Sequence, residues 1–284
     1  MTKPLSITCV ALLSVFTSAA QAQLLFDGSS YSQNFNSLPT GDSSGSNDNF
    51  AWNNDISDGS NNTISDWYFS TSNKNFDDSD DGRALAPTGD TSRAGTDRIL
   101  SFGATGTTTD RSMGLRAQGF NTAPDGAAFG LRLRNNSGGT LTSLEISFTA
   151  QQWFQESSAG SLDFYYYDVN GVDSSFTGLR NEGADPMEIT TNGTLVSQLS
   201  YTAPQTGSDS IIDGTLGANS SALSHTITGL SWENGDDFWV VWNKDTNTSA
   251  LAIDNLSIVP EPSTAAFLLF AGLAGALARR RRAS

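Results

Sequence analysis

The chain offers few side chains with which to build ionisable catalysis. His225 is its only histidine and Cys9 its only cysteine. A Ser-His-Asp relay would have to use His225, whose parity with Leu223 and Ile227 places it on the apolar face of a strand, and no G-x-S-x-G elbow presents a serine. A His/Cys zinc site would need three or four such ligands, and neither C-x-x-C nor paired histidines occur. Glycoside hydrolysis asks only for two carboxylates about 5 to 10 Å apart. Between the two ends the chain holds five glutamates, Glu145, Glu156, Glu182, Glu188 and Glu233, without the closely alternating acidic strand that would pair them. A secreted glycosidase is the third reading of the chain, behind a non-catalytic surface protein and a carbohydrate-binding module.

Two other sets of residues suit binding. Asp77-Asp78-Ser79-Asp80-Asp81-Gly82 sets oxygen ligands at alternate positions before a glycine turn, so Asp77, Ser79 and Asp81 are candidate calcium ligands. Position twelve of that loop is Thr88 where an EF-hand has glutamate, so a solvated acidic turn is the competing reading, and no other cofactor is expected. Carbohydrate recognition uses exposed aromatic faces with a few amide or carboxylate partners. Trp52, Trp153 and Trp232, with Tyr165 and Tyr167, are the candidates, because they fall in loops or alternate with the apolar set; Trp67, Trp239 and Trp242 are expected to pack inside.

These residues hang on a body that reads as sheet. Leu144, Ile146, Phe148 and Ala150 alternate with Glu145, Ser147, Thr149 and Gln151, the pattern of a strand with one buried face. Phe238 to Trp242 is apolar on both faces, as a central strand would be. Further strands are expected at 31–35, 66–70, 98–102, 127–134, 161–167, 194–202, 223–230 and 251–258, with Gly, Asn, Asp and Ser turns between them. The fold class is therefore all-β: one β-sandwich or jelly-roll body of about ten antiparallel strands over residues 23–258. In the last strand Leu251 and Ile253 share one parity and Leu256 and Ile258 the other, which predicts a β-bulge near Asp254-Asn255. Residues 41–62 are Ser, Asn, Asp and Gly with few anchors and read as a long loop.

Both ends look like addresses. Lys3, an apolar stretch over 10–16 and Ala20-Gln21-Ala22 form a secretory signal helix over residues 1–22, cut after Ala22 by signal peptidase. Cys9 leaves with it, so no disulfide framework is expected in the exported chain. At the other end, residues 259–284 place Val259, Pro260, Glu261 and Pro262 before an uncharged run of 14 residues and then Arg279, Arg280, Arg281 and Arg282. The run is short of the roughly 20 residues that span a bilayer comfortably, but with the preceding residues it reads as a transmembrane helix whose arginines stay cytoplasmic. Setting aside Lys3, Glu261 and these arginines leaves ten basic and 29 acidic residues, a net charge of −19. Such a surface excludes nucleic acid as a partner and repels anionic polysaccharide unless a cation bridges them.

The C-terminal residues resemble the PEP-CTERM sorting signal, also known as the ice-binding protein C-terminal domain, of exported Gram-negative bacterial proteins. The resemblance implies that an exosortase recognises Pro260-Glu261-Pro262, cuts nearby and passes the protein from transient anchorage in the inner membrane to the cell surface or the extracellular, biofilm matrix. The body also has a family look, carried by Tyr31-Ser32-Gln33-Asn34-Phe35-Asn36-Ser37-Leu38-Pro39, Ser101-Phe102-Gly103, Asp110-Arg111-Ser112-Met113-Gly114, Phe129 to Asn136 and Leu251 to Ile258. In that order they resemble a β-sandwich module of secreted bacterial proteins that has no assigned catalytic residues. Some of its variants carry arginine before the tryptophan of the penultimate strand, where this chain has Val241, so no role is carried over to that position. The expected protein is a non-catalytic, exported, acidic surface or matrix component, with a carbohydrate-binding module as the alternative and extracellular polysaccharide as its partner.

Overall fold

The fold is described from a computed structural model. It describes residues 24–38, 64, 66–71, 99–104, 109–116, 127–169 and 190–260, and the backbone of 49–50 and 82–84. The expected signal helix, the expected transmembrane helix and the acidic segment at 77–82 fall outside these residues, apart from the backbone of Gly82.

Two sheets face one another. The first consists of β1 (Leu24–Phe26), β4 (Trp67–Thr71), β8 (Ala127–Asn135), β10 (Ser161–Val169), β11 (Thr194–Leu195), β12 (Tyr201–Thr202) and β15 (Asp237–Lys244). Its order is β1-β8-β15-β10-β11, with β4 also on β8 and β12 also on β10. The second consists of β2 (Tyr31–Gln33), β3 (Asn49–Phe50), β5 (Gly82–Ala84), β6 (Ile99–Phe102), β7 (Ser112–Arg116), β9 (Leu141–Gln155), β13 (Ser210–Ile211), β14 (Ser220–Trp232) and β16 (Ala250–Pro260). It runs β13-β9-β16-β7-β6-β5-β3, with β14 also on β9 and β2 also on β16. The all-β sandwich expected from the alternation is thus present, with more strands than the ten anticipated: several are only two or three residues long, while β9, β14 and β16 run longer than expected. Two of its pairings, β1 with β8 and β5 with β6, are parallel where an antiparallel body was expected.

The inner faces meet in one aromatic core. Trp242 lies against Phe129 at 5.7 Å and Trp67 at 5.8 Å, both stacked, and meets Phe148 and Phe164 edge-on at 5.4 and 5.2 Å. Offset and T-shaped pairs of this kind add to the area that the rings bury. As the alternation indicated, Trp67, Trp239 and Trp242 are all buried.

The bulge foreseen in the last strand is there. The register of β16 against β9 shifts between Asp254 and Ser257, and Asn255 takes φ +50°, a left-handed conformation that Asn tolerates. Leu251 and Ile253 before the shift, and Leu256 and Ile258 after it, all enter the core.

The expected strand at 194–202 is instead broken into β11, a 3-10 turn at Ser197–Leu199 and β12. Val196 and Leu199, three apart, both turn into the core, which a two-residue period cannot achieve and a tight helical turn can. β7 was missed altogether: Ser-Met-Gly-Leu-Arg has no alternation to read, because every one of its residues is buried.

Candidate functional site

The quoted family residues converge, and what they build is a brace. The Arg111 Nε donates to Ser101 Oγ at 2.8 Å, its Nη2 to the Ser101 carbonyl at 2.6 Å, and its backbone N–H to Asn36 Oδ1 at 2.8 Å. The guanidinium is buried, and that burial lowers its pKa to about 10. A Cβ at Gly103 would stand 2.3 Å from Arg111 Nη1, so glycine is what lets the arginine lie there. These motifs therefore tie the segment after β2, strand β6 and the start of β7 together; they form the scaffold.

Two of the three tryptophans proposed as exposed platforms are corrected. Trp232 is fully buried: it stacks on Phe26 at 5.6 Å, lies 5.0 Å from Phe238, and donates its indole N–H to the Asp236 carbonyl at 2.8 Å. The reason is a register shift after Thr228, where Gly229 takes φ +76°; beyond it Trp232 pairs with Leu141 and faces inward. Trp153 is 5% exposed, because β9 continues past the alternating stretch and the backbone of Gly214 lies against its ring. It stacks on Phe102 at 5.7 Å and donates to Gln151 Oε1 at 3.0 Å. Neither ring presents a face to a ligand. Trp52, Ala20, Ala22, Asp77, Ser79, Asp81, Glu261, Pro262 and Arg279 to Arg282 lie outside the described residues.

Tyr165 and Tyr167 fare differently. In β10, Leu162, Phe164 and Tyr166 pack on the core, so Asp163, Tyr165 and Tyr167 project from the opposite side of the first sheet. The register sets Asp163 beside Asn243, Tyr165 beside Val241 and Tyr167 beside Trp239. Trp239 and Tyr68, on that same side, meet edge-on at 5.1 Å and are buried, whereas Tyr165 and Tyr167 keep part of their rings exposed. Arg132 anchors the far end of the row, its Nε donating to Asp237 Oδ2 at 3.1 Å.

The polar end of this row is unusual. Asn243 is only 8% exposed, yet its Oδ1 has no hydrogen-bond partner, a condition that costs about 1 to 3 kcal/mol in a folded protein. Burial raises the pKa of Asp163 beside it, opposed by the Ser200 hydroxyl. Burial and the Asp163 charge raise that of Tyr165 as well. Two partly exposed phenol rings and a carboxylate in one row are groups of the kind that cover sugar C–H faces and hydrogen-bond sugar hydroxyls.

Glu145 and Glu156 lie eleven positions apart along β9 and its extension, about 35 Å at strand rise, far beyond a glycosidase pair. His225 is half-buried opposite Ile146. Among the described residues no group of three His, Cys, Asp or Glu stands together as a metal site, and no helix is long and apolar enough to cross a membrane.

The last strand leads into the remaining site. Val259 and Pro260 complete the β16 ladder, opposite Glu145 and Leu144. Residues 259–282 match the family described as the PEP-CTERM protein-sorting motif. This chain carries a PEP-CTERM sorting motif. The motif thus starts inside the sandwich, with its first two residues held in the central ladder of the second sheet. It marks the protein as exported.

No curated protein matches the chain. Among solved structures it is similar to TmCBM61 in complex with beta-1,4-galactotriose, with 11% identity over 54% of this chain and 72% of that one, at a TM-score of 0.27. It is similar to the CBM22-1 xylan-binding domain of Xyn10C from Paenibacillus barcinonensis, with 12% identity over 53% and 72% and a TM-score of 0.28. A third is the K3 adhesin domain of Lys-gingipain from Porphyromonas gingivalis W83, with 14% identity over 68% and 91% and a TM-score of 0.33.

Proposed function

We propose that the protein is a non-catalytic component of the bacterial cell surface or extracellular matrix, delivered there by signal peptidase and an exosortase-type enzyme. The observation that carries this reading is the sorting motif at 259–282, running on from the last strand of a β-sandwich. Replacing Pro260, Glu261 and Pro262 together by alanine tests it. The altered chain is expected to stay with the inner membrane while the parent chain reaches the outside; equal arrival of both would overturn the reading.

A second reading is favoured by the outer side of the first sheet: the body binds extracellular polysaccharide through Tyr165 and Tyr167, with Asp163 as a polar partner. With a body charge of −19, the glycan that fits is neutral, or acidic and bridged by a cation such as calcium. Co-sedimentation with the exopolysaccharide of the producing organism, with and without calcium, is the test. Retention by the parent chain and loss in Tyr165→Ala/Tyr167→Ala supports the reading, and no retention in either condition removes it.

A further inference from the structure

Where β2 meets the end of β16, the outer side of the second sheet carries hydroxyls and amides and no charge. Tyr31 packs against the core and Phe35 is buried in it, so Ser32 and Asn34 face out. On β16 the bulge turns Leu256 and Ile258 inward, which leaves Asn255 and Ser257 on that same outer side. Ser32 pairs directly with Ser257, and Asn34 and Asn255 follow one step beyond the pair of Gln33 with Leu256. Together these residues line an open pocket of about 350 Å³. Small-ligand sites run from about 300 to 1,000 Å³.

The fold leaves polar atoms of this pocket unused. Asn34 Oδ1 accepts from the Asn36 N–H at 3.2 Å, and Asn255 donates its backbone N–H and its Nδ2 to Asp254 at 2.7 and 3.0 Å. The Ser32 and Ser257 hydroxyls, Asn34 Nδ2 and Asn255 Oδ1 meet no hydrogen-bond partner among the described residues. Opposed side chains of a strand pair stand about 5 Å apart and neighbours on one face about 7 Å, so one small ring bearing hydroxyls reaches all four. The backbone is strained on both sides of the pocket. Phe35 at φ +54° and Asn255 at φ +50° are two of the three non-glycine residues with positive φ among the described residues. That conformation is costly for a bulky side chain such as Phe35, and strain of this kind gathers where ligands are held.

We propose that this pocket binds a neutral sugar residue through Ser32, Asn34, Asn255 and Ser257. It lies on the second sheet and does not rest on the tyrosine row of the first. The chemistry of the lining selects the ligand. Two hydroxyls, an amide donor and an amide acceptor suit a partner whose own groups both donate and accept, as sugar hydroxyls do. A bare cation would ask for acceptors alone. An anion would meet no basic side chain in the lining, the Asp254 carboxyl behind Asn255 and a body of net charge −19. An apolar ligand would find only Leu256, which is buried.

A single sugar unit held in this way is read by saturation-transfer difference NMR at millimolar ligand, where co-sedimentation is blind to it. The full chain is kept in an amine-oxide detergent, which carries no sugar headgroup, and offered glucose, galactose, mannose, xylose and glucuronate in turn. At least one neutral sugar is expected to give a signal, and glucuronate a weaker one. Ser32→Ala/Ser257→Ala removes hydroxyls that the fold does not use, so this variant is expected to melt with the parent while the signal falls several-fold. Asn34→Ala is expected to lower the signal as well, and Tyr165→Ala/Tyr167→Ala to leave it in place. Silence from every neutral sugar, a signal that survives both pocket variants, or a stronger signal from glucuronate overturns the proposal. A signal lost only in the tyrosine variant also overturns it and places the sugar on the first sheet. An intact, pocket-dependent signal beside failed co-sedimentation supports the pocket and counts against the tyrosine row.

Discussion

Pro260 stands opposite Leu144 in the ladder between β16 and β9, so the sorting motif begins within the folded sheet and not on a tether beyond it. A processing enzyme that takes up an extended motif has to lift Val259 and Pro260 from this ladder first. Proline at the end of a strand makes that lift easier, because it contributes no N–H to the ladder. A Gly-Ser spacer of about six residues between Ile258 and Val259 reaches about 20 Å and frees the motif from the sheet. Pulse-chase labelling is expected to show faster conversion of the spaced chain to its processed form; an unchanged rate means that the strand end is not a barrier.

Aromatic substitutions separate the scaffold from the proposed binding face. Trp232→Ala and Trp153→Ala each remove a buried indole, at a cost of about 3 to 5 kcal/mol. Tyr165→Ala and Tyr167→Ala remove partly exposed rings and are expected to cost less than about 1.5 kcal/mol each while abolishing polysaccharide retention. Thermal denaturation beside co-sedimentation reads both quantities. The opposite pattern would move the binding site away from the first sheet.

Asp254 makes stability depend on pH. Its carboxyl sits at the β16 bulge, where burial raises its pKa to about 6 despite the Asn255 N–H, with Asp110 adding to the rise. A raised acid binds its proton more tightly in the folded than in the unfolded state, so stability falls as pH rises from about 4 to about 6. The full loss from this group is on the order of 3 kcal/mol. Asp254→Asn is expected to melt above the parent at pH 7 and to match it near pH 4. A gap that does not change with pH would show that the carboxyl titrates normally.

Arg111→Lys keeps the charge and loses the fork that holds Ser101 through two of its atoms. The lysine reaches one of these oxygens at most, and losing the other hydrogen bond to a charged group costs about 1.5 to 3 kcal/mol. A lowered denaturation midpoint with unchanged polysaccharide retention is expected. Loss of retention at full stability would make the arginine part of the binding site.

The C-terminal address and the class of the fold were legible in the residues themselves. A two-residue alternation of apolar side chains determines a strand wherever one face is buried and the other is wet, as at Leu144 to Gln151. The parity change between Ile253 and Leu256 located the bulge for the same reason. Those signals are local, and they end where burial comes from a partner far along the chain. Strand β7 carries no alternation because both its faces are covered, and Val196 to Leu199 abandons it to send two side chains the same way. Trp153 and Trp232 have nothing in their neighbours to say that Gly214 will close over one and that a register shift at Gly229 will turn the other inward. The residues by themselves determined that this is an exported, acidic β-sandwich with a sorting motif. Which aromatic rings stay at the surface and how close the motif lies to the sheet were decided by the tertiary structure, because each depends on which distant segments pack together.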